Sequence, residues 1–194
     1  MPKEYTFTPK FKLIVDHLKA VRTLDEYMNG VGLKKDMQAL SKHLQQDVSG
    51  SVLHPAGWEE LYARGGFLYA SPKSKWRVVG GDYNYIAVEI YPAWPVRDPQ
   101  QGEPYVGLHV PANWKKRTQF IDKLKVPLGF EHVKQYPDGE LAENSSIFKY
   151  VPYTSYIGAE GIFDPIRFIA AFREATKALV DMEKDIDEIL DGLA

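Results

Sequence analysis

Between Phe163 and Leu193, the apolar residues Phe168, Phe172, Ala175, Leu179, Met182, Ile186, Ile189 and Leu193 follow one another at alternating spacings of four and three. A seam of that period held over more than three heptads fits a helix and no strand. Asp164-Pro165 marks its start: a side chain that accepts from the first free amides, then a residue pre-set for the first helical position. The stripe narrows along its course. Ile166, Phe168, Ile169 and Phe172 make a broad face suited to covering a sheet, whereas beyond Leu179 only a thin seam runs between charges. The first half is therefore predicted to be core. The second is predicted to pack on a helix at Leu33–Val48 or on a second copy, giving a monomer or a homodimer through this helix. The internal partner is favoured, because a helix of roughly 43 Å fits the diameter of about 42 Å expected for a compact chain of this size.

A chain of 194 residues with a net charge of −2 has room for a substantial core and no overall field drawing it to nucleic acid or to an anionic membrane. Cysteine is absent, which removes disulfides, thiolate catalysis and cysteine-ligated metals. No apolar run reaches membrane-spanning length and no basic start precedes one, so a cytoplasmic protein without a membrane partner is expected. The charge is uneven: nine acids stand against four bases in residues 159–194, and eight bases against six acids in residues 1–50. The acidic end is thus expected to lie near Lys34, Lys35 and Lys42, by pairs that set orientation more than stability.

The first sixty-four residues read as a helical N-terminal subdomain, and 65–194 as an antiparallel sheet with helices, the two continuous as one structural unit: an α+β chain with four to six strands, two helices on one face and the last helix long. One helix opens at Thr8-Pro9, with Phe11, Ile14, Val15, Leu18 and Val21 on a face, and Thr23 with Glu26 resembles a capping box. Another carries Leu33, Met37, Leu40, Leu44 and Val48 until Ser49-Gly50-Ser51 breaks it, and Pro55–Ala63 adds a short helix around Trp58 and Leu61. Strands are expected at 67–70, 76–79, 85–91, 105–110, 130–136 and 147–153, with a helix from a capping Asn113 to the residues before Pro127.

Two of these strands define a register. If Ile86 opposes Val110, then Val88 opposes Leu108 and Ile90 opposes Val106, and one face is wholly apolar. Ala87 then opposes His109, Glu89 opposes Gly107 and Tyr91 opposes Tyr105. A one-residue slip would spoil both faces. On the second face Glu89 and His109 stand diagonally, about 7–8 Å apart at Cα, with Gly107 leaving space beside them. That face is expected to be wet unless it holds a ligand.

A carboxylate beside an imidazole is how a general base is assembled. Glu89 and His109, flanked by Tyr85, Tyr91 and Tyr105, are therefore the catalytic candidates if the chain is an enzyme of hydrolytic or nucleotide-processing type. No serine sits in a nucleophile-elbow context, and the histidines lack metal-ligand spacing, so no metal or other cofactor is expected. Trp94, between prolines in the loop 92–104, and Trp114 are placed to wall the same region. Lys115, Lys116 and Arg117 at a helix start form an anion-binding candidate. Taken together, these patterns fit a binding protein without catalytic activity, holding a protein partner or a small molecule on a Tyr-rich sheet face and a Pro/Trp loop. The enzyme centred on Glu89 and His109 is the alternative. A nucleic-acid-associated protein is a second one, disfavoured by the absence of a basic surplus.

Overall fold

The alternation at 85–91 and 105–110 forms the centre of a six-stranded antiparallel sheet in the computed structural model. The structure describes Thr23, Glu26 and residues 31–61, 67–79, 85–92, 104–132, 145–158, 160 and 162–194. The helix predicted from Thr8 and the Trp94 loop lie outside them. The chain divides into two compact units, Met1–Leu40 and Ser41–Ala194. In the first, Thr23 and Glu26 are helical and helix α1 (Val31–Val48) begins.

In the second unit α1 buries Leu44 and Val48. It does not break at Ser49-Gly50-Ser51. Ser49 and Ser51 hydroxyls donate back to the carbonyls of Gln46 and Asp47, so the residues expected to end the helix instead hold it, widened to a π-helical turn over Ser49–Leu53. Gly57, at φ +78°, ends this path with a conformation that favours glycine. The short helix expected at Pro55–Ala63 is replaced by strand β1 (Glu59–Leu61). There Leu61 pairs with Leu68 of β2 (Phe67–Ala70), and the backbone finds ladder partners that one helical turn would not supply.

The remaining strands are β3 (Ala87–Tyr91), β4 (Tyr105–His109), β5 (Glu131–His132) and β6 (Ser145–Tyr150), in the order β1-β2-β3-β4-β6-β5. β3 and β4 pair in the predicted register, from Ala87 opposite His109 to Tyr91 opposite Tyr105. The strand expected at 76–79 is instead a 3-10 turn, Ser74–Trp76, followed by one bridge between Arg77 and Tyr85. Trp76 is wholly buried there, and a turn lets its ring enter the core between the polar residues Lys75 and Arg77. Helix α2 covers only Arg117–Lys123, and Asn113 does not cap it: Lys116 occupies the N-cap without a side-chain bond.

One sheet face carries Tyr69, Ile86, Val88, Ile90, Val106, Leu108, Val110 and Ile147, all buried. Helix α3 (Pro165–Val180) packs on β3 and β4 and on the π-helical turn. It contributes Phe168, Phe172, Ala175 and Leu179, and burying each of the larger chains is worth about 1.5–3 kcal/mol. Asp164 caps α3 as predicted, accepting from the amides of Ile166 and Arg167 at 3.1 Å each, with Pro165 behind it. Asp164→Ala is expected to cost about 1 kcal/mol, read as a lower urea midpoint with an unchanged slope.

The long C-terminal helix is interrupted at Asp181-Met182 and resumes as α4 (Glu183–Asp191). The seam keeps its phase across the interruption at Met182 and Ile186, then shifts by one residue: Leu190 is buried while Ile189 and Leu193 are only half-buried. Within the second unit α4 docks on Ser74–Trp76 and on α2. Its ion pairs to other elements run to Lys73, Lys75 and Lys125, where the charge pattern had pointed to Lys42 among others. Among the described residues, no helix is long and apolar enough to cross a membrane.

Candidate functional site

The second face of the sheet gathers the residues expected to carry function. Period-two alternation sends Ala87, Glu89 and Tyr91 of β3 to the same side as Tyr105, Gly107 and His109 of β4. β2 adds Leu68, opposite Glu89, and β6 adds Phe148, opposite Gly107, and Tyr150, opposite Tyr105. Tyr91 and Tyr105 lie with ring centroids 5.2 Å apart; Phe148 meets Tyr105 edge-on at 6.4 Å and Tyr150 at 4.7 Å. A row of aromatic rings thus runs across three strands beside the carboxylate and the imidazole.

This face is not wet. Glu89 is 8 % exposed and His109 7 %, close to the values of Tyr91 and Phe148. Leu68, Ala70 and Ala87 form an apolar cluster edged by Leu61 and Tyr85, so the polar residues of β3 and β4 sit in an otherwise apolar surface. Gly107 also differs from expectation. A Cβ there would stand 3.0 Å from the carbonyl oxygen of Ile147 and 3.4 Å from the Phe148 Cβ. The glycine permits a close approach of β6 and leaves no room for a side chain.

Beside His109 the β4–β6 register shifts, the irregularity falling between Leu108 and His109. Ser146, buried at this bulge, donates to the Leu108 carbonyl at 3.1 Å. Bulges re-aim side chains, and this one lies where His109 leaves the sheet. The diagonal placement of Glu89 and His109 stands as predicted, in a desolvated setting that strengthens any charge or hydrogen bond they share with a ligand.

The other candidates are dispersed. Tyr85 is half-buried at the edge of this face, with the Arg77 guanidinium 5.7 Å from its ring centroid. The ring contact of Trp114 among the described residues is Phe120 of α2, at 5.4 Å, rather than the sheet tyrosines. Lys115 is exposed. Arg117 Nε donates to the Val110 carbonyl at 3.2 Å, and burial lowers its pKa. Lys116 Nζ donates to the Leu193 carbonyl, placing a cation against the carbonyl end of α4. Much of the positive charge read as an anion site therefore serves the protein's own backbone.

A polar cluster that the sequence reading did not single out lies under α4. Trp76 Nε1 donates to Asp187 Oδ1 at 2.8 Å, and Ser71 Oγ to Glu183 Oε1 at 2.8 Å. Lys73 Nζ lies 2.9 Å from Glu183 and 2.6 Å from Asp187. Its signal in the sequence is the repeated apolar–acid pair Met182-Glu183, Ile186-Asp187, Leu190-Asp191, one per four residues. Elsewhere, Tyr153 donates to the Pro92 carbonyl at 2.9 Å, and burial pushes its phenol far above the ordinary range, so it stays neutral. Among the described residues, no group of three His, Asp or Glu side chains could hold a metal ion. No family model, no curated protein and no solved structure matches this chain.

Proposed function

We propose that this chain is a binding protein without a catalytic step, and that the second sheet face holds a small planar molecule bearing N–H or O–H donors. What supports the reading is one juxtaposition: Glu89 and His109, both nine-tenths buried, beside the ring row Tyr91, Tyr105, Phe148 and Tyr150. Aromatic rings offer flat apolar area at small entropic cost, while a desolvated carboxylate takes donors with high selectivity. A folded protein partner would need this face broadly open, and its burial favours a small molecule.

A melting screen over nucleobases, aromatic amines and phenols tests this reading. A ligand at 100 times its Kd stabilises by about 2.7 kcal/mol, a readily visible shift. Glu89→Gln, which keeps shape and removes charge, is expected to weaken the bound compound about tenfold or more. Unchanged affinity in Glu89→Gln and in Tyr105→Ala would refute the assignment, and so would a screen without hits. The burial of Glu89 and His109 together on neighbouring strands also favours a second reading, a general-base enzyme of hydrolytic or nucleotide-processing type. There, His109→Ala would abolish turnover of the compound while leaving its binding intact.

A further inference from the structure

Helix α4 is attached differently from α3. α3 lays aromatic rings on the sheet core, whereas each apolar–acid pair of α4 divides its contacts. Met182, Ile186 and Leu190 turn inward and are buried. Glu183, Asp187 and Asp191, on the adjoining stripe, meet donors at the margin: Ser71 and Lys73 on Glu183, Trp76 and Lys73 on Asp187, and Lys75 on Asp191 at 3.0 Å and on Asp187 at 3.4 Å. From the α2 side, Lys125 stands 4.0 Å from Asp185, and Lys116 reaches the Leu193 carbonyl. On the outer surface, Lys184 pairs with Glu188 at 3.9 Å and Lys177 with Asp181 at 2.8 Å.

The joint above these contacts is already loosened. Asp181 N donates to the Lys177 carbonyl in the α-helical pattern, but Met182 N reaches only three residues back, to Leu179, and the next turn starts from the Met182 carbonyl. Asp181 is exposed, so of the two joint residues Met182 alone has packing to give up when the joint bends. We propose that Glu183–Asp191 is a hinged strap that opens about Asp181-Met182 independently of α3, held shut by its carboxylates and uncovering Trp76 when it lifts. Trp58, which meets Trp76 edge-to-face at 5.0 Å, is uncovered with it.

The electrostatics make the strap acid-sensitive. Burial pushes Glu183 and Asp187 upward, but hydrogen bonds from Lys73, joined by Ser71 on the first and Trp76 on the second, outweigh it and leave both lowered. A lowered carboxylate contributes stability that is present above its unfolded value, 4.5 for Glu and 3.8 for Asp, and lost as pH falls through the folded value. Lys73, raised from 10.5 by its bonds to Asp187 and Glu183, sets the opposite limit, its contribution fading only as pH climbs above that value. The strap is thus shut across neutral pH and loosens only as acid takes the pH below the unfolded values of both carboxylates.

Hydrogen exchange by mass spectrometry on the full chain at pH 7 tests this, comparing the wild type with the double variant Glu183→Gln, Asp187→Asn. Protection of amides 184–194 is expected to fall about tenfold or more while that of 168–180 changes less than about twofold. Lys184→Gln, on the outer surface, should alter neither. Equal loss in both segments would make α3 and α4 one cooperative helix and overturn the proposal, as would no change in either. Should the double variant fail to fold, Asp187→Asn alone must give the same segmental contrast or the proposal falls.

Discussion

Phe168→Ala is expected to lower stability by about 3–5 kcal/mol, at the top of the range for a single core truncation. The ring is fully buried, stacked on Tyr153 at 4.7 Å with 13° between planes, and ringed by Tyr156 at 5.5 Å, Phe163 at 5.4 Å and Phe172 at 5.0 Å. These neighbours come from three places: the 3-10 turn Tyr153–Tyr156, the Ile157–Phe163 bridge and α3 itself. Tyr153 is pinned by its bond to the Pro92 carbonyl, and the bridge is closed by Asp164 N on the Tyr156 carbonyl. The wall is therefore poorly able to collapse into the void, and the cost should sit near the cavity-dominated limit. Urea unfolding with a common slope would show it. Ile166→Ala, two residues away and 79 % exposed, should move the midpoint by no more than about 0.5 kcal/mol. A loss below about 1 kcal/mol at Phe168 would mean that the aromatic cluster does not hold α3 to the sheet.

Trp76→Ala is expected to cost about 3–5 kcal/mol, and Trp76→Phe separates the reasons. Trp76 is fully buried, in edge contact with Trp58, and its indole N–H reaches an aspartate that also meets two lysines. Phenylalanine keeps most of the apolar area and removes the donor, so about 1.5–3 kcal/mol should be lost, as for a bond to a charged group. The sharper measurement is the cycle with Asp187→Ala. If the indole–carboxylate bond is the link, the double variant should lose clearly less than the two single losses combined, by about 1 kcal/mol or more. Additive losses would show that Trp76 acts through packing alone.

The β3–β4 register was legible because two apolar rows, Ile86-Val88-Ile90 and Val106-Leu108-Val110, admit one alignment that buries both. The fate of the opposite row was not. Tyr, Glu and His at alternate positions read the same on a solvated face as on a covered one. The cap at Asp164-Pro165 could be read locally, since it depends on three consecutive residues. The helix–strand choice at Pro55–Ala63 could not, because β1 exists only through its pairing with β2, a tertiary gain that overrides local preference. At the C-terminus the heptad seam carried correctly past the joint to Ile186, then shifted by one residue, Leu190 being buried where Ile189 was expected. The acidic surplus of α4 had the right sign for an internal partner. Its address was hidden because Lys73 and Lys75 read as loop lysines beside Pro72.

The contacts that close the strap join residues 111 to 116 positions apart, Trp76 with Asp187 and Lys75 with Asp191. On a ribosome adding about 5–20 residues per second, Trp76 would wait roughly 6–22 s before its carboxylate exists. In the later part of that interval, once β3 and β4 have been made, the two tryptophans and both lysines belong to a nascent chain without its strap and form an adhesive, positively charged spot open to any acidic neighbour. Synthesis of Glu183–Asp191 then covers it, so the strap seals this spot as well as forming part of the fold.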